Sequence, residues 1–442
     1  MLYKKAKSRH FRLRLNYNSL ELFIIRIALS LTTVHMLAIV VLLALLTPCL
    51  SYDNGKKGST PPMGWSTWCT NDLCGLRDIC TEKEVKKRAD AMVSEGMVEF
   101  GYNMIFLDDC WASKERDSEG KLQGDLDQFP QGMKALADYV HSKGLMLALY
   151  TCIGTQTCRK ERPGSYGHFD LDAQTFADWG VDLVKVDACN KPGGETTQAL
   201  YSDFSKALNN TGHEMIFAMC EWGDDSVWEW GGSISQMYRI AMDHLPFYRY
   251  GNKTAAGAGY GQGVKEVIDW MADLKPSKYN KPNAWMDPDF LMTRFPITMD
   301  QAESRTEFTF WVLWSSPLLV ASDIVNMSSD KKAILMNKEV LDVHHDPLWI
   351  SGERVWRNED QTQAWSRPLA NGDVAVVLYN AVAGESQTIT ILFADLGLDV
   401  SKQFVIRDLW AGRDVATLTG SYTADVGKHD VAFLRIRPAT AV

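Results

Sequence analysis

The 442-residue sequence predicts an α/β fold, a (β/α)8 barrel followed by a C-terminal antiparallel β-sandwich. Three observations predict it. From Pro61 to about Asn337, short apolar runs alternate with amphipathic stretches. Acidic residues recur at the ends of those apolar runs. After His345 the texture changes to short alternating runs separated by turn residues, with few helical patterns between them.

In chain order, the expected barrel strands are Pro62–Ser66, Tyr102–Leu107, Leu145–Thr151, Leu183–Asp187, Met215–Glu221, Met237–Asp243, Asn283–Met286 and Pro317–Ser322. Helical periodicity fills the intervals at Glu82–Met97, Gln131–Lys143, Ala173–Trp179, Thr196–Leu208, Val264–Leu274 and Gln301–Trp314. A doubly wound sheet would give similar alternation, but no GxGxxG turn follows the first strand and no P-loop occurs. The sandwich strands are expected at Ala364–Arg367, Val374–Tyr379, Gln387–Leu392, Phe404–Asp408, Tyr422–Val426 and Val431–Arg435. The expected boundaries are 61–344 for the barrel and 345–442 for the sandwich.

Residues 1–51 are set apart by charge. They hold seven of the 46 Lys/Arg but one of the 55 Asp/Glu, and the basic start leads into an apolar stretch from Ile27 to Leu50. That order reads as a signal sequence, and Met36 by itself opens a shorter one. The stretch also reaches the roughly 20 apolar residues that span a bilayer. Residues 1–51 are therefore expected to be a signal peptide or signal anchor, with 52–60 as linker. Either way the body enters the secretory pathway, to be secreted, lysosomal or vacuolar, and meets a membrane only if the segment is retained. Without that basic segment the body is more acidic than the chain's net charge of −9. Such a balance argues against nucleic acid and suits a neutral ligand or an acidic compartment. It leaves a homodimer open.

Eight of the nine cysteines lie between Cys69 and Cys220, and none has the CxxC spacing of a zinc ribbon. In an oxidising compartment disulfides are the expectation. The acceptor pattern N-x-S/T at Asn209, Asn252 and Asn326 fits glycosylation in the same compartment.

The placement of the acids carries the chemistry. Asp108 and Asp109 end the second expected strand, Asp187 the fourth, Glu221 the fifth and Asp243 the sixth, while Asp287 and Asp289 follow the seventh. One Asp at a strand end is more often a turn or cap residue. In a closed barrel, however, the carboxyl ends of all strands converge on the face where barrel enzymes work, so acids from five strands would ring one pocket. Their repulsion needs metal ions or cations to cancel it. Apart from His244 no histidine accompanies these acids, whereas Lys185 and Arg239 share strand parity with Asp187 and Asp243. No metal and no cofactor are therefore expected, and a metal-dependent barrel enzyme is the alternative. Trp65, Trp68, Trp111, Tyr150, Trp222 and Trp285 fall at or just beyond strand ends, where aromatic faces could stack against a sugar. Two carboxylates suffice for glycosidic hydrolysis, and a separation of about 5–5.5 Å would give retention through a glycosyl–enzyme ester.

At these residues the sequence resembles the glycoside hydrolase family of lysosomal, plant and fungal α-galactosidases and the related α-N-acetylgalactosaminidases. PPMGWSTW, FLDDCW, RDSEGKLQ, DLDQFPQGMKALADYVHSKGL, FDLDAQTFADWGVDLVKVDAC, CEW, DPDFL and WSSPLLVASDI look like family blocks in family order from Pro61 to Pro347. The resemblance implies a retaining exo-glycosidase acting on terminal α-galactosides, with Asp187 as nucleophile and Asp243 as acid/base. It places Asp108 and Asp109 on sugar hydroxyls, and Trp68, Tyr150, Lys185, Glu221 and Arg239 elsewhere in the pocket. Glu221 would favour a galactose 2-hydroxyl over an N-acetyl group. The implied disulfides are Cys69–Cys110, Cys74–Cys80 and Cys158–Cys189. Tyr238 stands in the region of the family's partner for Cys220, which leaves Cys220 and Cys152 to pair with each other or remain free. Asp243 is followed by His244-Leu245-Pro246 instead of the usual isoleucine-led turn. Rival readings are an α-N-acetylgalactosaminidase or β-L-arabinopyranosidase of the same fold, and a membrane-anchored sugar-binding pseudoenzyme.

Overall fold

The computed structural model describes residues 57–69, 79–249, 261–293 and 298–439. The signal-segment reading, Cys74 and Asn252 lie outside the described residues. Six strands open the barrel: β1 (Met63–Ser66), β2 (Met104–Leu107), β3 (Met146–Cys152), β4 (Leu183–Asp187), β5 (Ile216–Cys220) and β6 (Met237–Arg239). A separate two-stranded pair, β7 (Asp243–His244) and β8 (Gly261–Gln262), precedes the last two barrel strands, β9 (Trp285–Asp287) and β10 (Leu318–Val320). The barrel order is β10-β1-β2-β3-β4-β5-β6-β9, and every pair in it is parallel. Leu291 closes the ring. Its N–H donates to the Leu319 carbonyl at 2.9 Å and its carbonyl accepts from Ala321 N at 2.8 Å.

Parallel strands buried on both faces need apolar side chains at nearly every position. MIFL in β2 and IFAMC in β5 supply them and are buried throughout. The surrounding helices are α1 (Glu82–Ser94), α2 (Gly132–Ser142), α3 (Phe169–Trp179), α4 (Thr197–Asn210), α5 (Val227–Trp230), α6 (Val264–Leu274), α7 (Gln301–Leu313), α8 (Ser329–Leu335) and α9 (Lys338–His344). Helix α7 starts at a reciprocal capping box, in which Asp300 accepts from Glu303 N and Glu303 accepts from Asp300 N. From Glu307 to Leu313 it is buried all round, because one face meets the barrel and the other meets the C-terminal domain. Phe308, Phe310 and Trp311 are fully buried there, each worth about 1.5–3 kcal/mol of apolar burial.

The C-terminal domain is antiparallel. Strands β11 (Glu353–Arg357), β12 (Thr362–Pro368), β13 (Val374–Asn380), β14 (Gln387–Leu392), β15 (Phe404–Asp408), β16 (Arg413–Leu418), β17 (Ser421–Val426) and β18 (Val431–Pro438) form a six-stranded sheet, β11-β12-β13-β18-β15-β16, facing the pair β14-β17. Val376, Leu378, Ile389, Ile391, Phe404, Ile406 and Leu434 fill the space between them. The opposite face of the large sheet, with Trp365, Val377, Tyr379 and Phe433, joins the barrel's own core. Arg367 of β12 is fully buried and donates to the Val312 and Leu313 carbonyls at the C-terminus of α7. The two edge strands, β11 and β16, escape the sequence pattern because charged residues occupy edges that water also solvates.

Two other expectations change. Arg239 and Asp243 do not share a strand. β6 stops at Arg239: the Ile240 N–H makes the last ladder bond to β9, at the Asp287 carbonyl, and Arg239 Nη2 then takes the Ala241 carbonyl at 3.1 Å. Cys110 bonds Cys80, not Cys69, with Cα atoms 6.1 Å apart. Cys80 stands just before α1, whose Glu82 N donates to the Gln128 carbonyl and so holds this turn against the chain that follows β2. The same bond rules out Cys74 as the partner of Cys80, while Cys69 is disulfide-bonded as well. Cys158 is bonded to Cys189. Cys152 and Cys220 are buried free thiols. They are the register partners of Asp187 on its two sides, hence two strand spacings or roughly 9–10 Å apart, too far to bridge.

Candidate active site

A pocket of about 420 Å³, including the part that is open to solvent, lies at the carboxyl ends of the barrel strands. It is lined by Trp68, Asp108, Asp109, Tyr150, Lys185, Asp187, Arg239 and Asp243, together with Cys158, Arg159, Trp222, Asp289 and Phe290. They arrive from several strand ends. Asp108 and Asp109 follow β2, Asp187 closes β4, and Asp243 opens β7.

Cations are interleaved with the acids. Lys185 Nζ reaches Asp108 Oδ2 at 3.0 Å and lies 5.5 Å and 5.0 Å from the Tyr150 and Phe290 ring centroids. Arg239 Nη2 lies 2.9 Å from Asp289 Oδ2 and 3.2 Å from Asp243 Oδ1. Asp108 is further fixed by its own N–H, which donates to Thr67 Oγ1, and by its Oδ1, which accepts from Asp109 N at 2.7 Å. No group of three or more His, Cys, Asp or Glu suited to a metal ion occurs among the described residues.

Several buried polar atoms in the pocket have no hydrogen-bond partner: Asp109 Oδ1, Tyr150 Oη and Asp187 Oδ1. Buried polar groups are rarely left so, and the three residues that carry them all line this pocket, where a polyhydroxylated ligand could supply partners. The disulfide sulfur of Cys158 lies 3.3 Å from Asp187 Oδ2, a contact without a proton to donate. That disulfide ties the loop after β3 to the end of β4. Arg159 beside it lies 5.5 Å over the Trp68 ring.

Asp187 and Asp243 differ in setting. Asp187 is 7% exposed, and the Asp243 side chain is 34% exposed at the mouth. Burial raises the Asp187 carboxyl to about 6; Lys185 opposes this and Asp108 adds to it. Asp109 is also raised, by burial and by Asp108.

Glu221 does not line the pocket. It is 1% exposed with both carboxylate oxygens unpartnered, and burial followed by Asp224 and Asp225 pushes it up to about 9. The next residue, Trp222, takes its place. Its φ of 59° turns the chain sharply at the end of β5, and Gly223 (φ 85°) then passes so close to the Ile240 carbonyl that a Cβ would sit 2.3 Å away. Of the other rim aromatics expected, Trp65, Trp111 and Trp285 are core residues; the indoles of Trp111 and Trp285 donate to the Tyr150 and Gly58 carbonyls. Arg159 and Phe290 were not anticipated from sequence. The only sequence cue to them is adjacency to Cys158 and to the DPD segment.

The raised carboxyls make stability depend on pH. Between 4.5 and about 9 the unfolded chain ionises Glu221 while the folded chain keeps it protonated, so the folded state binds more protons and loses stability as pH rises. His344 and His345 are lowered by burial and oppose this below 6.5. Thermal unfolding should therefore occur several degrees higher at pH 6.5 than at pH 8.5. Glu221→Gln should raise the pH 8.5 value and flatten the slope, and an unchanged slope would contradict the burial cost.

The family model described as Alpha galactosidase A matches residues 60–346, and that of the Alpha galactosidase C-terminal beta sandwich domain matches 359–436. An alpha-galactosidase of Oryza sativa subsp. japonica is 36% identical over 88% of this chain and 87% of its own length. One of Coffea arabica is 38% identical over 86% and 94% respectively. The crystal structure of alpha-galactosidase I from Mortierella vinacea superposes with a TM-score of 0.81 at 31% identity, covering 88% of this chain and 99% of that one. With its barrel matched to that model and most of its length shared with these relatives, this chain belongs to the alpha-galactosidase family of glycoside hydrolases.

Proposed function

We propose that the protein is a retaining exo-glycosidase that removes terminal α-galactose, with Asp187 as nucleophile and Asp243 as acid/base. One observation carries this reading. Two carboxylates of unlike exposure, one buried and one at the mouth, share a pocket whose floor holds the Asp108–Lys185 pair and unpartnered hydroxyl-binding atoms. Asp187 attacks the anomeric carbon as the glycosidic C–O bond breaks, and the proton of Asp243 passes to the leaving oxygen. Asp243 then takes a proton from water, whose oxygen displaces Asp187 and releases galactose. Lys185 supports ionisation of Asp187 against the cost of burial.

The reading includes passage through the secretory pathway. Two disulfides and the exposed acceptors Asn209 and Asn326 support it. Among the described residues no helix is long and apolar enough to cross a membrane.

The test is hydrolysis of p-nitrophenyl α-galactoside by protein lacking residues 1–51, with the first-formed sugar followed by NMR. The expected result is turnover with α-galactose appearing before mutarotation. Turnover of the α-N-acetylgalactosaminide or β-L-arabinopyranoside in preference would reassign the substrate. Initial β-galactose would overturn the double displacement.

A further inference from the structure

Directly after Asp243, where the pocket meets solvent, stands a histidine that is 0% exposed. His244 Nε2 lies 2.8 Å from Glu307 Oε1 of α7, and its Nδ1 lies 3.2 Å from the Gln262 carbonyl of β8. Glu307 is also fully buried. It accepts from Met292 N at 2.7 Å and from Thr293 Oγ1 at 2.8 Å, so its carboxylate already takes two further donors. The His244 backbone N–H donates to Asp289 Oδ2 at 2.7 Å, the oxygen that Arg239 also holds, and Arg239 in turn reaches Asp243.

We infer that His244 is a positioning residue for Asp243: the buried His244–Glu307 contact, closed through Asp289 and Arg239, fixes the short strand that presents the acid/base carboxyl to the leaving oxygen. The inference rests on the acid/base reading of Asp243. Both ring nitrogens lie within hydrogen-bond distance of an oxygen on another element, so the imidazole ties the residue after Asp243 to both β8 and α7. The geometry matters because β7 is two residues long and pairs with β8 alone. Two-residue strands carry too few ladder bonds to hold a side chain in place by themselves. The Trp311 ring, 5.3 Å from the imidazole, packs against it and restricts its rotation. No step of the chemistry passes through His244; it acts by holding its neighbour.

Protonation of the leaving oxygen matters little for a 2,4-dinitrophenyl galactoside and greatly for methyl α-galactoside, which separates positioning from general damage. In the otherwise unaltered protein, His244→Phe should lower kcat/KM for the methyl glycoside roughly tenfold or more, a part of the ~10²–10⁴-fold that a general acid supplies. It should change the dinitrophenyl substrate by less than about threefold. Glu307→Gln keeps an acceptor for His244 Nε2 and Met292 N, guards against a Phe variant that does not fold, and should give a smaller loss of the same selectivity. Equal losses on both substrates would overturn the inference and leave a structural role. Asp243→Ala is the reference. If it shows strong leaving-group selectivity while both other variants show none, positioning fails and the acid/base reading stands. If Asp243→Ala shows no selectivity either, the acid/base reading itself fails.

Discussion

Asp187→Ala should reduce α-galactoside turnover by a factor on the order of 10⁴–10⁶, the scale seen when the nucleophile of a covalent mechanism is removed. The protein should nevertheless stay folded. Burial raises the Asp187 carboxyl, so its ionised form is carried at a cost that alanine does not have. The methyl side chain also leaves the Lys185–Asp108 pair in place beneath it. Thermal unfolding of the variant should match or exceed that of the parent protein while activity disappears. Azide supplies a second readout. It fits the space vacated by the carboxylate, attacks from the same face and should yield β-galactosyl azide from an activated substrate. Activity within tenfold of the parent, or an α-configured azide, would move the nucleophile to another residue of the pocket.

The barrel was legible because its signals are local. Apolar runs such as IFAMC and helical periodicity such as Val264–Leu274 need only neighbouring residues, and the latter matches α6 at both ends. Acids at strand ends could be read because barrel topology converts sequence position into a common face. What failed was set by contacts between distant segments. Arg239-Ile240-Ala241-Met242-Asp243 reads as one strand continuing with the same parity. It ends after the Ile240 N–H has made its ladder bond to Asp287, and the Arg239 guanidinium takes the Ala241 carbonyl where the chain turns away. Arg239 still reaches Asp243, but across a turn and not along a strand. The exchange of Glu221 for Trp222 depends on a left-handed φ at a tryptophan, a conformation that no residue preference announces. Cys80 and Cys69 are equally plausible partners for Cys110 by spacing, and the fold around α1 decides between them. Trp65, Trp111 and Trp285 show the same limit. A large aromatic at a strand end suits a sugar platform and a core equally well until burial is known.

The unlike settings of the two carboxylates make a second large effect follow from Asp243. Asp243→Ala should lower kcat/KM for methyl α-galactoside by about 10²–10⁴-fold, the usual share of a general acid, and spare 2,4-dinitrophenyl α-galactoside. With that substrate the first step still runs, since a good leaving group needs no proton, but the galactosyl–Asp187 ester then waits for unassisted water. A burst of dinitrophenol followed by a slow steady state is the expected trace. Azide should relieve the slow phase by attacking the ester from the face opposite Asp187, giving α-galactosyl azide. The opposite anomers expected from the two alanine variants therefore assign the two roles without reference to any distance between the carboxylates. Arg239, which bonds Asp243 and Asp289 alike, keeps its partner Asp289 in this variant, so the pocket wall should hold. A uniform loss on both substrates with no burst would mean that Asp243 shapes the pocket and that the proton comes from another group.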